Sequence, residues 1–189
     1  PSLIFNSVCN VSEKQVDQEH KRYLEYGFKM IAMQSLLYGI PNYSIFNGAE
    51  EAENIIKHLE RVFVVASGLQ IKILVFGSPK NRFIKNKAEH NMEVAIGFFG
   101  KICDIADKFK INICLEANPR EYGCNFITNT FEAVEFIKKV NKKNFLLNLD
   151  MSTIILNNED LEEVFSYSKS YIGHIHVSSP YLKGIKDIN

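Results

Sequence analysis

Three side chains able to handle metal ions and protons stand where apolar runs stop. Glu116 lies at the end of "NICLEA" (112–117), Asp150 closes "FLLNLD" (145–150), and His176 sits in "HIHVS" (174–178). Two carboxylates and an imidazole suit a divalent ion such as Mn, Co, Zn or Fe, with Mg favoured where oxygen ligands dominate. Such an ion polarises a carbonyl oxygen or stabilises an enediolate. Any one of the three, taken alone, reads more simply as a strand end that has reached water; the set on consecutive runs favours a site. His174 is two residues from His176 and shares its side of a strand, so one can bind metal while the other hydrogen-bonds, or His174 is a satisfied core histidine. His20, His58 and His90 fall on or beside helical patterns and read as structural.

The segment "GSPKNR" (77–82) adds Lys80 and Arg82 just after another apolar run. A guanidinium suits bidentate recognition of phosphate or carboxylate, which points to an anionic sugar, although two basic residues also describe a solvated loop. Gln34, at the end of "KMIAMQ" (29–34), and Tyr122 complete the candidate substrate contacts. Tyr43 and Phe46 could wall a pocket or pack beneath their own loop.

Such residues need a scaffold that delivers them to one place. Six short apolar runs read as strands: "SLIFN" (2–6), "KMIAMQ", "KILVFG" (72–77), "NICLEA", "FLLNLD" and "HIHVS". Most lack regular alternation, as parallel strands covered on both faces do. Helical periodicity fills the gaps. Ser12 and Gln15 form a capping box, Val16, His20, Tyr23 and Leu24 make one face, and Gly27 terminates. Further helices are expected over 50–66, 88–109 and 130–140, the second with Met92 on its apolar stripe. Asn158 is expected to cap a last one, with Glu159 and Asp160 in its first turn. The alternation admits an open doubly wound sheet or a closed barrel. Polar residues at the carboxyl ends of many successive strands favour the barrel, and no GxGxxG or Walker pattern supports a nucleotide fold.

The 189 residues suit a single domain. Net charge is zero, with 22 acidic and 22 basic residues, which weighs against nucleic acid as the main partner. No run reaches membrane-spanning length and no leader pattern opens the chain, so a cytoplasmic protein is the expectation. Four cysteines without a CxxC pair read as reduced thiols, with Cys114 in strand core.

The segments "LEANPREYGCNFITNT", "NLD" and "GHIHVS", in that order, resemble the xylose-isomerase-like TIM barrels, especially sugar phosphate isomerases and epimerases of the tagatose/psicose 3-epimerase type. The resemblance runs from Pro1 to about Ser179. It implies a (β/α)8 barrel, of which this chain holds six of eight strands, and a divalent metal (Mn, Co, Mg or Zn) held by Glu116, Asp150 and His176. It also implies that Glu116 acts as acid and base on a sugar or sugar phosphate. Departures accompany it. Tyr122 stands where ketose epimerases carry a second Glu, Thr153 where they carry a His, and Leu182 where they carry an Arg. Strands one and eight of the family have no counterpart, and no Glu follows Glu163 to supply the family's fourth ligand. A partial chain, or a second copy covering the open barrel edges, is therefore expected. The competing readings are a non-catalytic scaffold barrel and an endonuclease IV-like nuclease, the latter disfavoured by few mouth histidines and neutral charge.

Overall fold

The computed structural model describes residues 4–5, 7–86 and 90–184. Five parallel strands run in sequence order across one sheet: β1 (Ala32–Met33), β2 (Ile73–Phe76), β3 (Asn112–Glu116), β4 (Phe145–Asp150) and β5 (Ile172–His176). Each strand pairs only with its sequence neighbours, and helices fill the crossovers: α1 (Glu13–Glu25) before β1, α2 (Ala49–Gly68), α3 (Asn91–Lys108) and α4 (Thr130–Val140). That progression is the half-turn of a TIM barrel. Among the described residues, five of the six expected strands are present. Most of the run at 2–6 lies outside the described residues, and Ile4 and Phe5 belong to no strand.

Local chemistry explains the helix bounds. The Ser12 hydroxyl accepts from the Gln15 N–H at 3.3 Å while the Gln15 side chain accepts from the Ser12 N–H at 2.9 Å, and Gly27 takes the left-handed φ of +76°. Only Val16 of the expected α1 face is buried; Leu24 is exposed. Val16 packs closely on α2, where a Cβ on Gly68 would meet its Cγ1 at 2.7 Å. Met92 is likewise partly exposed, near the start of α3. The last expected helix is corrected. Asp150 itself caps a short helix, α5 (Met151–Asn157), Asn158 ends it in the left-handed region, and Asp160 caps α6 (Leu161–Ser168). Two short helices therefore join β4 to β5.

The main core lies between the sheet and its helices. Phe99 sits at its centre, with ring centroids 5.0 Å from Phe76, 5.3 Å from Phe136 and 5.2 Å from Phe145. Phe145, Leu147 and Leu149 of β4 join this layer, so Leu146, Asn148 and Asp150 face the barrel axis by alternation. The β4–β5 pairing is irregular: Leu147 pairs with Ile172, but Asn148 pairs with His174 and Asp150 with His176. Gly173 is skipped. A regular ladder would place His174 and His176 on the opposite side from Asn148 and Asp150, so this bulge is what brings the imidazoles inward. Gly173 tolerates no side chain there, because an added Cβ would lie 2.7 Å from Leu146 Cδ1 and 2.9 Å from Cys114 Sγ.

Candidate active site

The carboxyl ends of β3, β4 and β5 meet around Glu116. Its Oε2 accepts from Asn148 Nδ2 at 2.7 Å and lies 2.9 Å from His176 Nδ1; its Oε1 accepts from Asn118 Nδ2 at 3.1 Å. Asn148 is 1% exposed, and its Nδ2 is 3.1 Å from His176 Nδ1. The hydrogen bond to Glu116 raises the His176 pKa against the effect of burial.

Asp150 occupies the next position on the same face of β4. It accepts from Ser178 Oγ at 2.5 Å, from Thr153 Oγ1 at 3.3 Å and from the Ser152 N–H at 3.4 Å. Burial, aided by the charge of Glu116, pushes its pKa up against those hydrogen bonds. Glu116, Asp150 and His176 line one cavity of about 430 Å³ together with Gln34, Asn118 and Tyr122. Among the described residues, no three His, Cys, Asp or Glu side chains are gathered closely enough to hold an ion by themselves. Two acids and an imidazole on one wall, with burial disfavouring the charge of Asp150, are nonetheless residue types that suit a divalent cation.

The other expected residues are placed as follows. Gln34 lines this cavity and a second one of about 610 Å³ that also reaches Glu116. Lys80 lines the second cavity and is exposed. Tyr122 is half-buried; its hydroxyl is 2.8 Å from Ser152 Oγ and accepts from the Tyr181 N–H at 3.0 Å. His174 stacks edge-on against His176 with centroids 5.2 Å apart, and burial, with His176 beside it, lowers its pKa. His58 bonds to the Leu36 carbonyl at 2.9 Å, in keeping with a structural part.

Arg82 departs from the expected anion contact. It is 0% exposed, and its guanidinium donates to main-chain oxygens: to Gly77 at 2.8 Å, to Phe126, to Ile127 at 3.1 Å and to Glu116 at 2.7 Å. It also donates to Asn118 Oδ1 at 2.8 Å. The whole donor fork is spent inside the protein, where it ties the ends of β2 and β3 together. Asn118 relays this contact to Glu116. Gly77 makes room for the arrangement, since an added Cβ would lie 2.9 Å from Glu116 Oε1. Asn118, Asn148 and Gly77 were not singled out in the sequence. Asn148 could have been, because it alternates with Asp150 and must share its face.

Residues 7–186 match the model of the family described as "Xylose isomerase-like TIM barrel". The chain belongs to that family. Similar solved structures of the same barrel type include D-psicose 3-epimerase with D-tagatose from Clostridium cellulolyticum H10, at 16% identity and TM-score 0.76, covering 89% of this chain and 58% of that one. A 3-keto-D-glucoside 4-epimerase from E. coli is 14% identical with TM-score 0.74, covering 88% of this chain and 65% of that one. An AP endonuclease, family 2, from Brucella melitensis is 16% identical with TM-score 0.69, covering 86% of this chain and 64% of that one. At these identities the likeness is one of fold, and the chain spans roughly three fifths of the length of these barrels. No curated protein matches. Among the described residues, no helix is long and apolar enough to cross a membrane.

Proposed function

We propose that this barrel is a divalent-metal-dependent isomerase or epimerase acting on a sugar or sugar phosphate. The observation that carries the reading is the convergence of Glu116, Asp150 and His176 on one cavity from three successive strand ends. Glu116, Asp150 and His176 would hold the ion, which would supply Lewis acidity towards neighbouring sugar oxygens. Glu116 is the proton carrier. Its carboxylate takes the hydrogen from the carbon beside the sugar carbonyl, and the freed electron pair moves onto the carbonyl oxygen to give an enediolate. Return of the proton by Glu116 to the neighbouring carbon gives the aldose–ketose isomer, whereas the epimer requires that a second acid, such as water in the cavity, deliver a proton to the opposite face while Glu116 keeps the one it took. Without the ion, Asn118 and Asn148 hold the two carboxylate oxygens in place, and His176 Nδ1 lies against the second of them. Gln34 and Tyr122 face the same cavity as polar contacts for hydroxyl groups, and Lys80 offers a cation to an anionic substituent.

The test is exchange of substrate C–H hydrogen with D2O, followed by NMR, over a panel of ketoses and ketose phosphates with Mn or Co supplied. Exchange that is lost in Glu116→Gln is the expected result. Absence of both metal binding and exchange across the panel would sink the reading.

A further inference from the structure

Asn148 is buried to 99% by its 1% exposure, and its Oδ1 has no hydrogen-bond partner among the described residues. An unpaired buried amide oxygen is costly, so its surroundings need explaining. The other end of the same amide is one corner of a small triangle: Asn148 Nδ2 to Glu116 Oε2 is 2.7 Å, Glu116 Oε2 to His176 Nδ1 is 2.9 Å, and His176 Nδ1 to Asn148 Nδ2 is 3.1 Å.

No arrangement of hydrogens satisfies all three sides. If His176 Nδ1 carries a hydrogen, it donates to Glu116 but confronts the N–H of Asn148. If it does not, it accepts from Asn148 but sets its lone pair against the carboxylate. Turning the amide about its last torsion replaces Nδ2 with Oδ1 at the corner. The triangle then consists of two oxygens and one nitrogen, all presenting lone pairs, at spacings close to the roughly 3 Å edge of an octahedron with metal–ligand bonds near 2.1 Å. A cation satisfies all three at once and gives the orphaned oxygen a partner, with Nδ2 taking the buried position that the oxygen leaves. Side-chain amide oxygens are ordinary ligands for hard divalent ions.

We infer that Asn148 Oδ1 is a ligand of the divalent ion, completing with Glu116 and His176 a three-atom face that no trio of acidic, histidine or cysteine side chains supplies among the described residues. This rests on the metal-dependent reading above and adds a residue to it. Asp150, next on the same face of β4, then approaches the ion from the side bordered by Ser178.

The inference separates oxygen ligation from simple support of Glu116. Asn148→Asp keeps a ligating oxygen and loses the N–H groups; Asn148→Leu loses both. Calorimetric titration with Mn2+ should show Asn148→Leu weakened on the order of tenfold or more, with Asn148→Asp binding at least as tightly as the wild type. Unchanged affinity in Asn148→Leu, or equal loss in both variants, overturns the inference. A second measurement needs no variant: in wild-type protein labelled with 13C, titration with diamagnetic Zn2+ should shift the Asn148 carboxamide carbon resonance, and a resonance that stays put overturns the inference. A wild type that binds no Mn2+, Co2+ or Zn2+ at all refutes the metal-dependent reading itself, an outcome distinct from either of these.

Discussion

At the scale of single residues, the site depends on side chains that hold other side chains. Arg82 carries its charge fully out of water and spends its donors on loop carbonyls and Asn118. Arg82→Met would leave those acceptors unpaired, and chemical denaturation should show a loss of about 3 kcal/mol or more. Arg82→Lys should recover only part of it, since one ammonium cannot span the same acceptors. His176 makes a pH prediction. Its pKa is raised in the folded state by Glu116, so its contribution to stability is fully present below the ordinary histidine value and is lost as pH rises through the raised one. Asp150, also raised, acts in the same sense, whereas buried His58 is lowered and opposes both. Comparing melting temperatures of wild-type and His176→Gln protein without metal isolates the first effect: their difference should shrink from pH 6 to pH 9. A difference independent of pH would contradict it. Reading Arg82 as an anion contact rested on its type and its place after a strand. Sequence offers no sign that three carbonyls from distant segments already claim its donors.

At the scale of elements, the β4–β5 irregularity does most to form the site. Skipping Gly173 puts His174 and His176 on the side of Asn148 and Asp150. Gly173→Ala forces a Cβ against Leu146 and Cys114, so it should cost stability and weaken Mn2+ binding more than an alanine at the unobstructed Gly97 of α3 does, as calorimetry can measure. The strand cores of β2 to β5 were legible because each is a dense apolar run, and α1 because its capping box has a sequence signature. The bulge was not legible. Whether one residue is skipped depends on what its Cβ would strike across two neighbouring strands. The helix α5 was missed for a related reason: Asp150 serves both as the end of a strand and as a helix cap, and its neighbour Ser178 arrives from beyond β5.

At the scale of the whole molecule, bound metal couples the site to stability. An ion at a hundred times its dissociation constant adds about 2.7 kcal/mol. For a domain of this size, that should raise the melting temperature by roughly 5–10 °C with Mn2+, reversed by EDTA and absent in Glu116→Gln. The sequence by itself determined the parallel α/β alternation, the barrel type, and the placing of Glu116, Asp150 and His176 at successive strand ends, because apolar runs and helix caps are local properties of the chain. The tertiary structure alone decided which side each imidazole faces, that Arg82 is buried, and that Asn118 and Asn148 grip Glu116. Those outcomes depend on contacts between residues far apart in sequence, where the space left by one side chain and the lone pairs of another fix what a third can do.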